Sequence, residues 1–110
     1  MTIGWRVPSR SAVITCRAND RKTVIFSPYL MASWAVCDPE LTLGLPARVT
    51  ATTGMDALTH CVEAWLAKPY HPMCDAIALH GTQICAKSLR RAVENGADLD
   101  ARGDMMMAAM

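Results

Sequence analysis

The hydrophobic pattern changes character partway along the chain. Up to about residue 45, short β-branched or aromatic runs alternate with turn material: "SAVIT" (11–15), "TVIF" (23–26) and "WAVCD" (34–38). "RANDRK" (17–22) and "SPYLMAS" (27–33) connect them, so the pattern predicts three short strands. Pro39 and Pro46 then bracket "ELTLGL", which is too punctuated for a long regular element. After Arg48 the grammar is helical. A first helix is expected from Thr50 or Thr53 to about Ala67. Leu58, Val62, Trp65 and Leu66 would form its apolar stripe, a threonine its N-cap, and Pro69 its end. A second runs from Pro72, a favoured first helical position, to Asn95-Gly96, and a third begins near Asp98. The last six residues are all Met or Ala with no stop signal, and three strands without a covering helix cannot close a parallel sheet. Both ends therefore read as cut, and the expectation is a fragment of a larger protein.

Composition narrows the class. Of 110 residues 52% are hydrophobic and 19% charged, with a formal net charge of +1, the balance of a core-forming globular chain. Basic residues are scattered, which argues against a nucleic-acid partner, and no apolar run approaches the roughly 20 residues of a membrane span. The opening "MTIGWRVPSR" lacks the apolar core of a signal peptide, so the expected location is cytoplasmic. Five cysteines, an odd number with no C-x-x-C spacing, read as free thiols in a reducing compartment.

The segment "TGMDALTHC" (53–61) carries the candidate chemistry. Asp56 and His60 are four residues apart, hence on one face of a helix that reads as mostly buried. A carboxylate and an imidazole buried together need compensation, which a metal ion or a mutual ion pair would supply. Spacing alone leaves both open. Glu63, three residues after His60, is either a hydrogen-bond partner of the ring or a solvated charge.

The longer stretch "DPELTLGLPARVTATTGMDALTHCVEAWLA" (38–67) resembles the signature of the iron-containing (group III, metal-dependent) alcohol dehydrogenases, and the likeness extends over about residues 10–110. The resemblance implies an α+β fragment: a few strands from the end of an α/β dinucleotide-binding domain (1–45), then the first helices of an all-α metal-binding domain (46–110). Asp56 and His60 match the first two ligands of a catalytic divalent metal, usually iron and sometimes zinc, in a site of one carboxylate and three imidazoles. Lys22 and Leu41 match positions that contact the dinucleotide, NAD or NADP. The implied reaction is hydride transfer between a small alcohol or aldehyde and the nicotinamide, in a protein that is free to be a homo-oligomer.

Two departures limit what this chain should do. The family's other two histidine ligands belong to a later helix. His71, before Pro72, reads as a helix cap, and His80, beside Gly81, as a surface or core-edge residue. The segment before "AVIT" should be glycine-rich, yet Trp5 and Arg6 stand where small residues are expected. The chain alone is therefore expected to be inactive. The competing readings are a non-catalytic helical interaction module, and a small metal-binding protein that adds His71, His80 or Cys61 to Asp56 and His60.

Overall fold

The computed structural model describes residues 11–110 except Ala18, Ala32 and Pro69, so the expectations about Trp5, Arg6 and Pro69 fall outside the described residues. The chain forms two compact units that divide between Val36 and Cys37.

In the first unit, β1 (Ser11–Cys16) pairs antiparallel with β2 (Arg21–Phe26), in a register that sets Ser11 against Phe26 and Thr15 against Lys22. The four-residue connection turns at Asp20, whose φ of 51° lies in the left-handed region that Asp tolerates better than most residues. The Asn19 side chain supports the turn by accepting from the Arg21 amide at 3.2 Å. A 3₁₀ turn follows at Pro28–Leu30, capped by Ser27.

The third expected strand, 34–38, is not formed: those residues have no regular structure. An apolar run becomes a strand only where a neighbouring backbone takes its hydrogen bonds, and no such neighbour is present among the described residues. Asp38 instead ends the segment as the N-cap of a 3₁₀ turn at Pro39–Thr42, accepting from the Glu40 amide at 2.9 Å. "ELTLGL" thus holds one short regular turn.

The second unit contains three helices, α1 (Ala47–Leu66), α2 (Pro72–Glu94) and α3 (Leu99–Ala108). The helix α1 starts earlier than expected, directly after Pro46, whose missing amide and fixed φ suit that boundary. The threonines are not caps. The Thr52, Thr53 and Thr59 hydroxyls donate to carbonyls three or four residues back, and Thr50 is buried. In α2, Pro72 takes the first helical position and His71 is the N-cap, its Nδ1 accepting from the Cys74 amide at 3.4 Å.

The buried positions explain the packing. They are Thr50, Gly54, Ala57 and Cys61 in α1, and Ala78, Gly81, Cys85, Ser88 and Ala92 in α2. Both stripes step by three and four residues, the spacing that holds one face against a neighbouring helix. They consist of small residues, so the backbones approach closely. A Cβ at position 54 would collide with Leu89, and one at position 81 would lie 2.7 Å from Cys61 Sγ. These contacts run α1 and α2 antiparallel. The expected stripe on α1 is therefore displaced by about one residue, roughly 100° around the helix. Leu58 and Val62 are half-buried, and Trp65 and Leu66 are exposed.

The helix α3 completes the core. Ala101, Met105 and Ala108 are buried with Ala57, Cys85 and Ala92. Ser88 Oγ donates to Asp104 Oδ2 at 2.5 Å, tying α2 to α3. Arg102 is fully buried with its Nε donating to the Gly96 carbonyl at 2.5 Å, while both terminal nitrogens lack partners among the described residues. At the start of α3, Asp98 accepts from the Ala101 amide at 2.9 Å and pairs with Arg91 at 2.8 Å.

That amide bond first, and Arg91 second, pull the Asp98 carboxyl below its ordinary pKa. A lowered carboxyl stabilises the fold above the ordinary carboxylate range and loses that contribution as pH falls through its folded value. Asp98→Ala should lower the urea midpoint at neutral pH more than Asp98→Asn, which keeps a capping oxygen. The advantage of Asp98 over Asn should vanish in acid, and midpoints measured across acidic to neutral pH check both.

Candidate metal centre

The site is built on the third and fourth turns of α1. Ala57 and Cys61 face the core, and the residues one position earlier, Asp56 and His60, stand about 100° around the helix and are exposed. The helix is thus buried along one stripe only, which corrects the expectation that the two side chains lie in a mostly buried setting. They form no ion pair with each other. Among the described residues neither has a hydrogen-bond or ion-pair partner, and Glu63 is exposed with no bond to the imidazole. The mutual ion pair that spacing left open is therefore not what places them.

As a donor set the two fit a divalent cation: one anionic oxygen and one imidazole nitrogen on the same helix face, both free to coordinate. The set is half of a site. Among the described residues no three His, Cys, Asp or Glu side chains converge well enough to hold a metal. His71 is engaged at the N-terminus of α2. Cys61 is turned inward, its Sγ donating to the Ala108 carbonyl at 3.4 Å. His80 is exposed on α2 and shares with His60 the wall of an apolar groove of about 510 Å³, which also meets Cys61, Ile84 and Met107. That juxtaposition was not visible in the sequence, because it depends on which faces of α1 and α2 meet. Lys22 lies exposed on β2 in the first unit, and Leu41 is exposed on the Pro39–Thr42 turn of the second.

A second feature of this region is a pair of thiols. Cys61 and Cys85 are both buried. The Cys85 thiol is pushed up from 9.0 to about 11, first by burial and then by charge interaction and a side-chain hydrogen bond with Cys61.

Residues 50–110 match the C-terminal domain of the Fe-containing alcohol dehydrogenase family. The chain belongs to that family. It is 48% identical over 102 residues to the 4-hydroxybutyrate dehydrogenase of Cupriavidus necator, an alignment that covers 93% of this chain and 26% of the relative. Among solved structures it resembles a 1,3-propanediol oxidoreductase, with a TM-score of 0.87 and 39% identity over 96% of this chain and 28% of that one. It also resembles the sulfoacetaldehyde reductase of Bifidobacterium kashiwanohense in complex with NAD+, with a TM-score of 0.87 and 36% identity over 92% of this chain and 27% of that one. The chain spans about a quarter of the length of these relatives. No helix of the described residues is long and apolar enough to cross a membrane.

Proposed function

We propose that this chain carries part of the active centre of an NAD(P)-dependent, divalent-metal alcohol dehydrogenase. Residues 1–45 are the end of its dinucleotide-binding domain, and residues 46–110 the first helices of its metal-binding domain. Asp56 and His60 are two ligands of a divalent metal, iron by kinship. The observation that carries this reading is the shared exposed face of α1, where both side chains stand unpartnered within the part of the chain that matches the family. Two polar groups held one turn apart by a helix are pre-oriented, so little conformational entropy is lost when a cation joins them.

When bound, such a metal supplies Lewis acidity toward the oxygen of a small alcohol or aldehyde during hydride transfer with the nicotinamide. The chain's own part is to place two ligands on a rigid helix. Lys22 offers a cation to the phosphate or ribose oxygens of the dinucleotide, and Leu41 an apolar surface. The isolated chain is inactive, because two ligands give low charge and incomplete chelation.

Titration calorimetry with Fe(II) under anaerobic conditions, and with Zn(II), tests this. Weak binding is expected, abolished in both Asp56→Ala and His60→Ala, with no alcohol-dependent reduction of NAD or NADP. Tight stoichiometric binding would show that the chain completes a site from its own residues. Binding that survives both substitutions would remove Asp56 and His60 from the ligand set.

A further inference from the structure

We propose that Cys61 and Cys85 are a peroxide-responsive dithiol that closes to a disulfide and cross-links α1 to α2. Three placements carry the inference. First, Gly81 has no side chain, so the Cys61 sulfur settles directly on α2, where even a Cβ at position 81 would lie 2.7 Å away. Cys85 is one helical turn further along the same buried stripe. A disulfide needs its Cβ atoms within about 4.5 Å, a close approach that helix packing over glycine favours.

Second, the two sulfurs have different access. Cys61 lines the apolar groove of about 510 Å³, as does the exposed Cys74, and the groove admits a small uncharged oxidant, whereas Cys85 is 1% exposed and does not line it. One thiol is placed to be oxidised and the other to resolve it. Third, the remaining cysteines, Cys16, Cys37 and Cys74, are all exposed and form no buried pair.

The chemistry balances with a peroxide as oxidant. The Cys61 sulfur attacks one oxygen of hydrogen peroxide, the O–O bond breaks, and a sulfenic acid and one water result. The Cys85 sulfur then displaces the sulfenic oxygen, the S–S bond forms, and that oxygen leaves with the Cys85 proton as a second water. Both sulfurs are oxidised and both peroxide oxygens reduced. The cross-link would pin the turn of α1 that carries His60, but the inference does not depend on the metal reading.

The test uses the full chain, with chelator present, as it stands and as the Cys16→Ser/Cys37→Ser/Cys74→Ser variant, with circular dichroism to verify the helices. Each is treated with hydrogen peroxide in native buffer and in urea, alkylated, digested and mapped by mass spectrometry. The expected result in native buffer is a Cys61–Cys85 cross-linked peptide and complete loss of both free thiols, reversed by dithiothreitol. Three results would overturn the proposal: both thiols still alkylatable, sulfinic acid at Cys61 with Cys85 still free, or a cross-link confined to the urea sample.

Discussion

Replacing Met105 with alanine is expected to destabilise the helical unit by about 2–5 kcal/mol, a large part of the roughly 5–15 kcal/mol that holds a small domain folded. Met105 is fully buried in α3, and its methyl group reaches toward α1, where a Cβ added at Gly54 would lie 3.3 Å from it. Among the described residues it is the one long apolar side chain in the fully buried cluster, whose other members are Ala57, Cys85, Ala92, Ala101 and Ala108, with Leu58, Ile84, Leu89 and Met106 packed against it only partly buried. Small residues on helices already in contact cannot move in to fill the space, so the deletion leaves a cavity as well as losing transfer energy. Met107, two residues on, is 62% exposed, and its replacement by alanine should change stability by less than about 0.5 kcal/mol. Urea unfolding of the two variants, read as a fall in midpoint at unchanged slope, checks the contrast. Equal effects would mean that Met105 is not the packing centre of α3.

That contrast shows what the sequence could and could not disclose. "MMMAAM" reads as an undifferentiated apolar run, and only the placement of α3 in the groove between α1 and α2 separates Met105 from Met107. Helix existence was legible because punctuation marks it: Pro72 and Asp98 stand at real starts, and Asn95 at a real stop. The threonines suggest a start for α1 at 50 or 53, but Pro46 fixes the boundary and the helix begins at Ala47. The buried face of α1 was misplaced for a related reason. Large apolar residues dominate a hydrophobic pattern, but helices that approach over glycine bury Gly54, Ala57 and Cys61 and leave Trp65 outside. The third strand failed because "WAVCD" has strand composition without a strand partner.

The candidate centre was legible at the level of residue type and spacing. One helical turn joins Asp56 to His60, and their common face follows from geometry alone. Their exposure and lack of partners needed the packing, since both depend on which neighbouring residue faces the core. The thiol pair lay further from view. Twenty-four positions separate Cys61 from Cys85, and nothing in a count of five cysteines indicates that these two meet. The available signal was Gly81, a helix-weakening residue inside a strong helical pattern, which marks a point of close approach.

Raising the pH should destabilise the fold through Cys85. Burial and the adjoining Cys61 hold the native thiol near 11, against an ordinary value of 9.0. The native state therefore keeps its proton where the unfolded chain releases it, and stability falls wherever the unfolded state binds fewer protons. The contribution is fully present below the ordinary thiol value and is lost as pH rises from about 9 to about 11. At roughly 1.4 kcal/mol per unit, the loss amounts to about 2–3 kcal/mol. Tyrosines and lysines also titrate in that range, so the informative quantity is a difference between proteins. Cys85→Ala removes the thiol and should be less stable near neutrality, because a small cavity opens in the core. Its urea midpoint should then fall less steeply than that of the unaltered chain as pH rises, so the two curves converge. Parallel curves would mean that the native thiol ionises as freely as the unfolded one and that burial beside Cys61 does not hold its proton.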